Sequence, residues 1–445
     1  MNQGRQDMTN RKLLMVAHEF PPISGARVMR ATKFAKYLPE YGWFPIVLTA
    51  NPYDCYYRHE WTLDLSLSAE LEGQVLVYRI PSPLERQARR LMRKLKRVDR
   101  KGGVVQFKDE GITHSKLGKA LRRLHVQQDQ SGLWIPYAYR AAMRLLRREE
   151  VDAVLTTSPP HLIQLVGWGL KIRTGKPWIA DFRDGWSDNV LFQAESRLRQ
   201  RLDRRLESIV INRADAKLVV TRHMLATFQQ AYPNQAGSFH LIRNGFDPAD
   251  FQNISPDKDT DVITFVYVGN ITDQRAAPLL QAFHEILAAG HLQPEKVKVQ
   301  FVGNLFVQAL TQLPEWVEIV PPVSHQEAIK WMVNAGVLML VIAIEEGRAS
   351  FGSKVFEYLA SRRPILAVVP PVGELAELLT SLPGVIVASP ANVEEIKTGI
   401  LRAFDLAVAH PHFIEVNSKL IEAFDRRVQA GQLADLLNSL TVGRP

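Results

Sequence analysis

Residues 12–41 read KLLMVAHEFPPISGARVMRATKFAKYLPEY, and this stretch decides the fold. Residues 12–17 form a short apolar run of strand length. A turn rich in Pro and Gly follows over Glu19 to Gly25. From Arg27 to Tyr41 the apolar residues recur every three or four positions, which is helical spacing. The same alternation continues along the chain. It predicts strands at 44–49, 75–80, 153–156, 178–181 and 217–220, with helices at 136–149, 161–173, 195–212 and 223–231. After a polar stretch, 247–261, it resumes with strands at 263–268, 297–301, 317–320, 337–342, 365–369 and 385–387. Helices are expected at 278–289, 325–334, 354–360 and 393–407. Strands alternating with helices predict parallel sheets covered on both faces. The chain is therefore expected to form two α/β domains joined near 245–260. Beyond them, Phe413, Val416, Leu420, Ile421, Phe424 and Val428 keep a helical period that Leu433, Leu436, Leu437 and Leu440 continue, so the tail carries an apolar stripe that must dock.

Length and composition agree with this outline. The 445 residues suit two or three domains, and 46% apolar with 23% charged residues is ordinary for a globular chain. Cys55 is the sole cysteine, so no intrachain disulfide can form and a reducing, cytoplasmic setting is expected. The longest strongly apolar stretch, 335–344, is half a membrane span. The run 13–17 is too short for a signal-peptide core.

Charge is uneven. Residues 1–250 hold 40 basic and 25 acidic side chains, and residues 251–445 hold 15 and 21. The segment 86–101, RQARRLMRKLKRVDRK, contributes nine bases and one acid. Leu84, Ala88, Leu91, Met92 and Leu95 recur at helical spacing beside it. This favours an amphipathic helix, 84–101, on an anionic membrane surface over a nucleic-acid contact, for which interleaved aromatics are missing. A solvated surface helix is the competing reading. Arg197, Arg199, Arg201, Arg204 and Arg205 alternate with Glu195, Asp203 and Glu207, which predicts a salt-laced exposed face.

Several motifs fail on inspection. Gly167-Trp168-Gly169 lies inside a helical pattern, so a dinucleotide fingerprint is absent. Gly169 to Gly175-Lys176 is one residue too long for a P-loop, and Pro177 stands where a Mg²⁺-binding hydroxyl is needed. Asp257, Asp259 and Asp261 lack the turn glycine of a calcium loop. No H-E-x-x-H or G-x-S-x-G is present.

Three loops keep phosphate-binding character. Gly25 precedes a helix start and permits close backbone approach. Gly352 and Ser353 open another helix, Lys354 adds a cation there, and Glu357 lies one turn on, within reach of a ribose. Gly269 and Asn270 follow the first strand of the second domain, and Arg275 follows them. The bland alternatives are a ligand-free turn, an N-capping serine with an ion pair, and a surface arginine.

In this order the loops resemble those of glycosyltransferase family 4, of the GT-B fold. The likeness rests on Phe20-Pro21-Pro22 to Gly25, Thr157-Ser158-Pro159-Pro160, Thr174-Gly175-Lys176-Pro177-Trp178 leading to Asp181-Phe182-Arg183-Asp184, Arg243-Asn244-Gly245-Phe246-Asp247, Gly269-Asn270, and Ser353-Lys354-Val355-Phe356-Glu357-Tyr358-Leu359-Ala360. The resemblance implies an acceptor-binding domain (1–248), a nucleotide-sugar-binding domain (249–410) and a final helix (411–445) crossing back to the first. It implies transfer from a nucleotide-sugar with retention of configuration, without a metal or any cofactor beyond the donor. Arg275 and Lys354 would stabilise the departing diphosphate, Glu357 would accept ribose hydroxyls, and the Gly25 loop would close over the phosphates. Asp184 would be the acceptor-side carboxylate and His161 a polariser of the donor sugar. One departure stands out: the first of two glutamates common in the family falls on Ala349, with Glu345 and Glu346 too early. The expected acceptor is lipid-linked or a surface polysaccharide. A nucleotide-sugar epimerase and a catalytically weak binding subunit are the competing functions. Pro321 and Pro322 near the base leave UDP and GDP both open.

Overall fold

The computed structural model describes residues 11–52, 63–83, 130–187, 197–252, 254, 261–306, 314–342, 354–410 and 422–442. The segment 84–101, Ala349, Gly352 and Ser353 lie outside them. In the first half of the chain the strands are β1 (Arg11–Ala17), β2 (Trp43–Ala50), β3 (Leu76–Ile80), β4 (Ala153–Ser158), β5 (Trp178–Phe182), β6 (Ala216–Val219) and β7 (Phe239–Leu241). They form one parallel sheet in the order β3-β2-β1-β4-β5-β6-β7. The second half contributes β8 (Ile263–Val268), β9 (Ile271–Thr272), β10 (Val297–Val302), β11 (Leu305–Phe306), β12 (Val317–Val320), β13 (Val337–Val341), β14 (Ile365–Val368) and β15 (Val385–Ala388). Six of these make a second parallel sheet, β12-β10-β8-β13-β14-β15, while β9 and β11 pair separately.

The helices are α1 (Ala26–Tyr37), α2 (Leu65–Ala69), α3 (Ile135–Arg148), α4 (Gln164–Thr174), α5 (Arg197–Arg213), α6 (Arg222–Ala231), α7 (Asp273–Ala288), α8 (His325–Val333), α9 (Lys354–Ser361), α10 (Glu374–Thr380), α11 (Val393–Ala409) and α12 (Arg426–Thr441). Each sheet is covered on both faces. Leu14, Val16 and Val154 pack under α3 and α4, while Leu13, Met15 and Leu155 face α1 and α12. In the second sheet Phe265 and Val299 pack under α7 and α11, and Val266 and Leu338 face α8 and α9.

Local chemistry fixes the ends. α1 stops at Tyr37, because Pro39 turns the expected last helical turn into a 3-10 segment, Leu38–Tyr41. α7 starts at Asp273, five residues before Pro278, so the helix carries a proline that cannot donate its backbone bond. α8 opens on a capping box between Ser324 and Glu327. No helix among the described residues is long and apolar enough to cross a membrane.

The final helix crosses to the first sheet. Ala430, Leu433, Ala434 and Leu437 of α12 are buried against α1. Burying one leucine of this kind contributes about 1.5–3 kcal/mol. Asn438 Oδ1 accepts from Trp43 Nε1 at 3.0 Å and from Arg11 Nη1 at 2.9 Å, which ties the far end of α12 to the first domain. The near end joins the chain between the sheets: Phe246 N donates to Phe424 O, and Arg426 N donates to Phe246 O. Gly245 allows this approach, since a Cβ there would sit 1.9 Å from Phe424 O.

Candidate functional site

In both sheets the strand order reverses once, between β1 and β4 and between β8 and β13. Ligands of open α/β sheets bind outside the carboxyl ends of strands at such points. The loops singled out in the sequence leave those ends. Gly25 follows β1, His161 follows β4, Asp184 follows β5, Gly269 and Asn270 follow β8, and Lys354 lies beyond β13.

On the second sheet, Lys354, Arg275, Gly269 and Asn270 come together around Tyr267. Lys354 Nζ lies 4.1 Å from the Tyr267 ring centroid. Arg275 Nη1 donates to Tyr267 Oη at 3.3 Å and to Asn270 O at 3.2 Å, and Tyr267 Oη donates to Asn270 O at 2.8 Å. Gly269 has φ +127°, and a Cβ on it would meet Lys354 Nζ at 2.5 Å. The lysine thus fits against bare backbone. Glu357 is half-buried one turn further along α9. Its charge acts on His325 and on Arg426.

On the first sheet, Gly25 is the N-cap residue of α1 with φ 108° and open space around it. Glu19 and Arg27 pair across this loop at 3.6 Å. His161 stacks on Trp186, with ring centroids 5.4 Å apart and planes 11° apart. Burial lowers its pKa to about 4 despite the opposing charge of Asp184, so the ring is neutral at pH 7. Its buried Nδ1 has no hydrogen-bond partner among the described residues. Arg183 is engaged with backbone: it donates to Ser158 O at 3.0 Å, to Pro159 O at 2.7 Å and to Arg27 O. It therefore ties the Ser158-Pro159-Pro160 loop to the start of α1.

Four groups of functional weight escape a sequence reading. Arg30 of α1 is buried and grips Asp181 of β5 through both carboxylate oxygens, at 2.9–3.1 Å. Asp181 also accepts from Thr157 Oγ1 at 2.7 Å, and Arg30 Nη1 donates to Arg243 O. Second, Lys33 Nζ sits 2.8 Å from carboxylate oxygens of Glu70, Asp247 and Asp250. Those acids are grouped closely enough to hold a metal ion, but the ammonium already occupies their focus. Burial works against the Lys33 charge, and Asp250, Asp247 and Glu70 overcome it and raise its pKa. Asp247 is held well below the usual carboxylate range by Lys33 and its hydrogen bonds, against its own burial.

Third, His325 of α8 reaches from the second domain into this network. Its Nε2 lies 3.0 Å from Asp250 Oδ2, and its backbone N–H donates to Asp64 Oδ2 at 2.8 Å. Burial disfavours the charged ring, but the bond to Asp250 and the nearby Glu357 raise its pKa. A parallel contact joins the domains at Glu374, which accepts from the backbone N–H groups opening α6 and pairs with Arg243.

Fourth, Arg426 of α12 is buried between the two halves. Its Nη1 donates to Gln429 Oε1 at 3.2 Å, and its Nη2 has no partner among the described residues. Burial, then Arg30, lower its pKa to about 9, while Glu357 and Asp181 oppose the shift. One guanidinium thus senses a carboxylate from each domain.

Residues 84–250 match the family model described as Glycosyltransferase Family 4. Among solved structures, a glycosyltransferase from Rickettsia africae ESF-5 aligns at 13% identity and TM-score 0.60, over 98% of this chain and 100% of that one. Anabaena Alr3699/HepE, in complex with UDP, aligns at 14% identity and TM-score 0.57, over 96% and 100%. The UDP-GlcNAc 2-epimerase from Methanocaldococcus jannaschii aligns at 10% identity and TM-score 0.54, over 96% and 99%. No curated protein sequence matches. The fold is GT-B, with two Rossmann-like sheets and a helix returning to the first, and the resemblance to family 4 is borne out over 84–250.

Proposed function

We propose that the protein is a glycosyltransferase that moves a sugar from a UDP- or GDP-linked donor to a hydroxyl of a lipid-linked or surface-polysaccharide acceptor, with retention of configuration. The observation that carries this reading is the convergence of Lys354 and Arg275 on Tyr267 beside Gly269, at the carboxyl end of β8. Two cations, Lys354 against the bare backbone of Gly269 and Arg275 against Tyr267 and Asn270 O, suit a diphosphate. Asp184 and the neutral His161 stand at the strand ends of the other sheet, where an alcohol would enter.

In the reaction the bond from the anomeric carbon to the diphosphate oxygen breaks, and a bond to the acceptor oxygen forms. Lys354, Arg275 and the backbone at Gly352 and Ser353 take the charge that grows on the leaving diphosphate, a task that calls for no metal. Asp184 orients the acceptor hydroxyl and receives its proton. The neutral imidazole of His161 bonds the donor sugar. Glu357 accepts the ribose hydroxyls, and the Gly25 loop closes over the phosphates. The domain division at 248 and 410 separates these duties. The basic segment 84–101 brings the enzyme to the anionic, cytoplasmic face of a membrane.

The test is release of nucleoside diphosphate from a panel of nucleotide-sugars, with and without a lipid extract as acceptor. Release that requires the extract supports the reading. An epimerase is the second reading, favoured by the Methanocaldococcus likeness. It would convert the donor with no extract present, and that result would overturn the transferase.

A further inference from the structure

The helix α5 offers a surface that the cleft does not use. Leu198, Leu202, Arg205, Ile209 and Arg213 are spaced four, three, four and four residues apart, which places them along one stripe of the helix. The opposite side is anchored: Glu207, Val210 and Ile211 are buried. On the stripe, Leu198 is 78% and Leu202 48% exposed. Towards the end of α5 the stripe meets a shallow groove of about 310 Å³ lined by Ser208, Ile209, Asn212 and Arg213 with Trp168 and Ile172 of α4, and Ile172 is 62% exposed. Arg197, Arg201, Arg204, Arg205 and Arg213 are all exposed on the same helix, and Arg173 is exposed beside Ile172.

Of the acids expected to lace this face, Asp203 does so, Glu207 does not, and Glu195 lies outside the described residues. Asp203 closes on Arg199 at 2.7 Å. Glu207 turns inward, accepting from Ser187 N, Ser187 Oγ and Tyr232 Oη. Among the described residues the outward stripe carries exposed leucines, with Arg201, Arg205 and Arg213 exposed beside them.

We propose that this face of α5, with Ile172 of α4, docks on an anionic lipid bilayer. The leucines and isoleucine enter the boundary between headgroups and acyl chains, as an amphipathic helix lying in the interface does. The arginines lay their stems on the apolar layer and lift their guanidinium groups to lipid phosphates, which they meet as bidentate donors. A second copy of the chain fits poorly, because the same arginines would face one another. The contact uses none of the residues assigned to the chemistry of the cleft.

The test uses the full chain and sedimentation with phosphatidylcholine vesicles that contain or lack phosphatidylglycerol. The wild type is expected to partition onto the anionic vesicles. Leu198→Asp with Leu202→Asp is expected to lower that partition about tenfold or more with an unchanged thermal midpoint. Arg201→Glu with Arg205→Glu is expected to do the same. Leu198→Gln with Leu202→Gln serves should the aspartates impair folding. Wild-type binding that ignores phosphatidylglycerol would overturn the proposal. So would undiminished binding by either pair of variants, which would leave 84–101 as the whole anchor. A wild-type dimer in light scattering that the leucine pair splits would overturn it as well.

Discussion

Lys354 Nζ rests 4.1 Å from the centroid of the Tyr267 ring, and the phenol of that ring receives Arg275 at 3.3 Å. One aromatic side chain thus holds two cations in register, with its hydroxyl spent on Asn270 O. Losing one charge-stabilising contact of this sort typically costs about 2.7–4 kcal/mol in a barrier. Lys354→Ala and Arg275→Ala are each expected to cut turnover by two orders of magnitude or more. Steady-state rates of nucleoside diphosphate release check this, and rates within tenfold of wild type for both would defeat the assignment.

Gly269 tests the same pocket through its backbone. A methyl group there would lie 2.5 Å from Lys354 Nζ, at a φ of +127° that L side chains rarely adopt. Gly269→Ala is expected to weaken donor binding and to lower stability by about 1–3 kcal/mol. A thermal-shift titration with a nucleotide-sugar separates the two effects. A variant with wild-type affinity would show that Lys354 moves freely aside.

The alternation of strands and helices was legible because each core strand is a dense apolar run and each connecting helix has one apolar stripe. β7 was missed: Phe239–Leu241 is three residues with a histidine in the middle, too short for any period. α10 was missed because Glu374–Thr380 spans barely two turns. The buried charges were hidden for another reason. Arg30, Lys33 and Tyr37 recur along α1 at core spacing, yet arginine and lysine read as solvent-facing until their partners are known. Asp181 lies 151 residues from Arg30 and Asp247 lies 210 from Tyr37. Only the parallel sheet and the return of the chain between domains bring them together. Likewise Asp247 opens a polar stretch that suggests an exposed linker, but it is buried at the seam.

The Arg30–Asp181 pair is expected to behave as a buried ion pair does when one partner is removed. Both side chains are almost wholly buried and linked by three hydrogen bonds. Arg30→Met removes these bonds and leaves the Asp181 side chain bonded to Thr157, with Arg183 and Arg426 acting on it from further off, and should destabilise by about 3–5 kcal/mol. Urea unfolding measures this. A loss under about 1 kcal/mol would mean that water replaces the guanidinium.

The contact between His325 and Asp250 makes the domain seam pH-dependent. The His325 pKa is raised from 6.5, so its contribution is complete below that value and is lost as pH rises through the folded value. The Asp250 pKa is lowered from 3.8 by the His325 bond and Lys33 against its burial, so its contribution is present above 3.8 and is lost as pH falls through the folded value. The bond is strongest between the two. Stability measured from pH 5 to pH 8 should fall more in the wild type than in His325→Gln. Parallel curves would remove His325 from the linkage.

Arg426 should give the opposite result to Arg30, although both are buried arginines at the same seam. Arg30 meets a carboxylate at hydrogen-bond distance. Arg426 bonds a neutral Gln429, has no partner for Nη2 among the described residues, and its burial with the repulsion of Arg30 outweighs the pull of Glu357 and Asp181. A buried charge with no carboxylate at hydrogen-bond distance among the described residues is a net cost, and replacing it with an apolar side chain of similar length removes that cost. Arg426→Met is therefore expected to stabilise the protein by about 1 kcal/mol, where Arg30→Met destabilises it. The comparison controls for side-chain volume, because both variants exchange the same pair of residue types. Equal losses in urea unfolding would show that Arg426 is held by an interaction as strong as the one Asp181 offers Arg30. The sign of the difference, read from two unfolding midpoints, decides which account of the seam is correct.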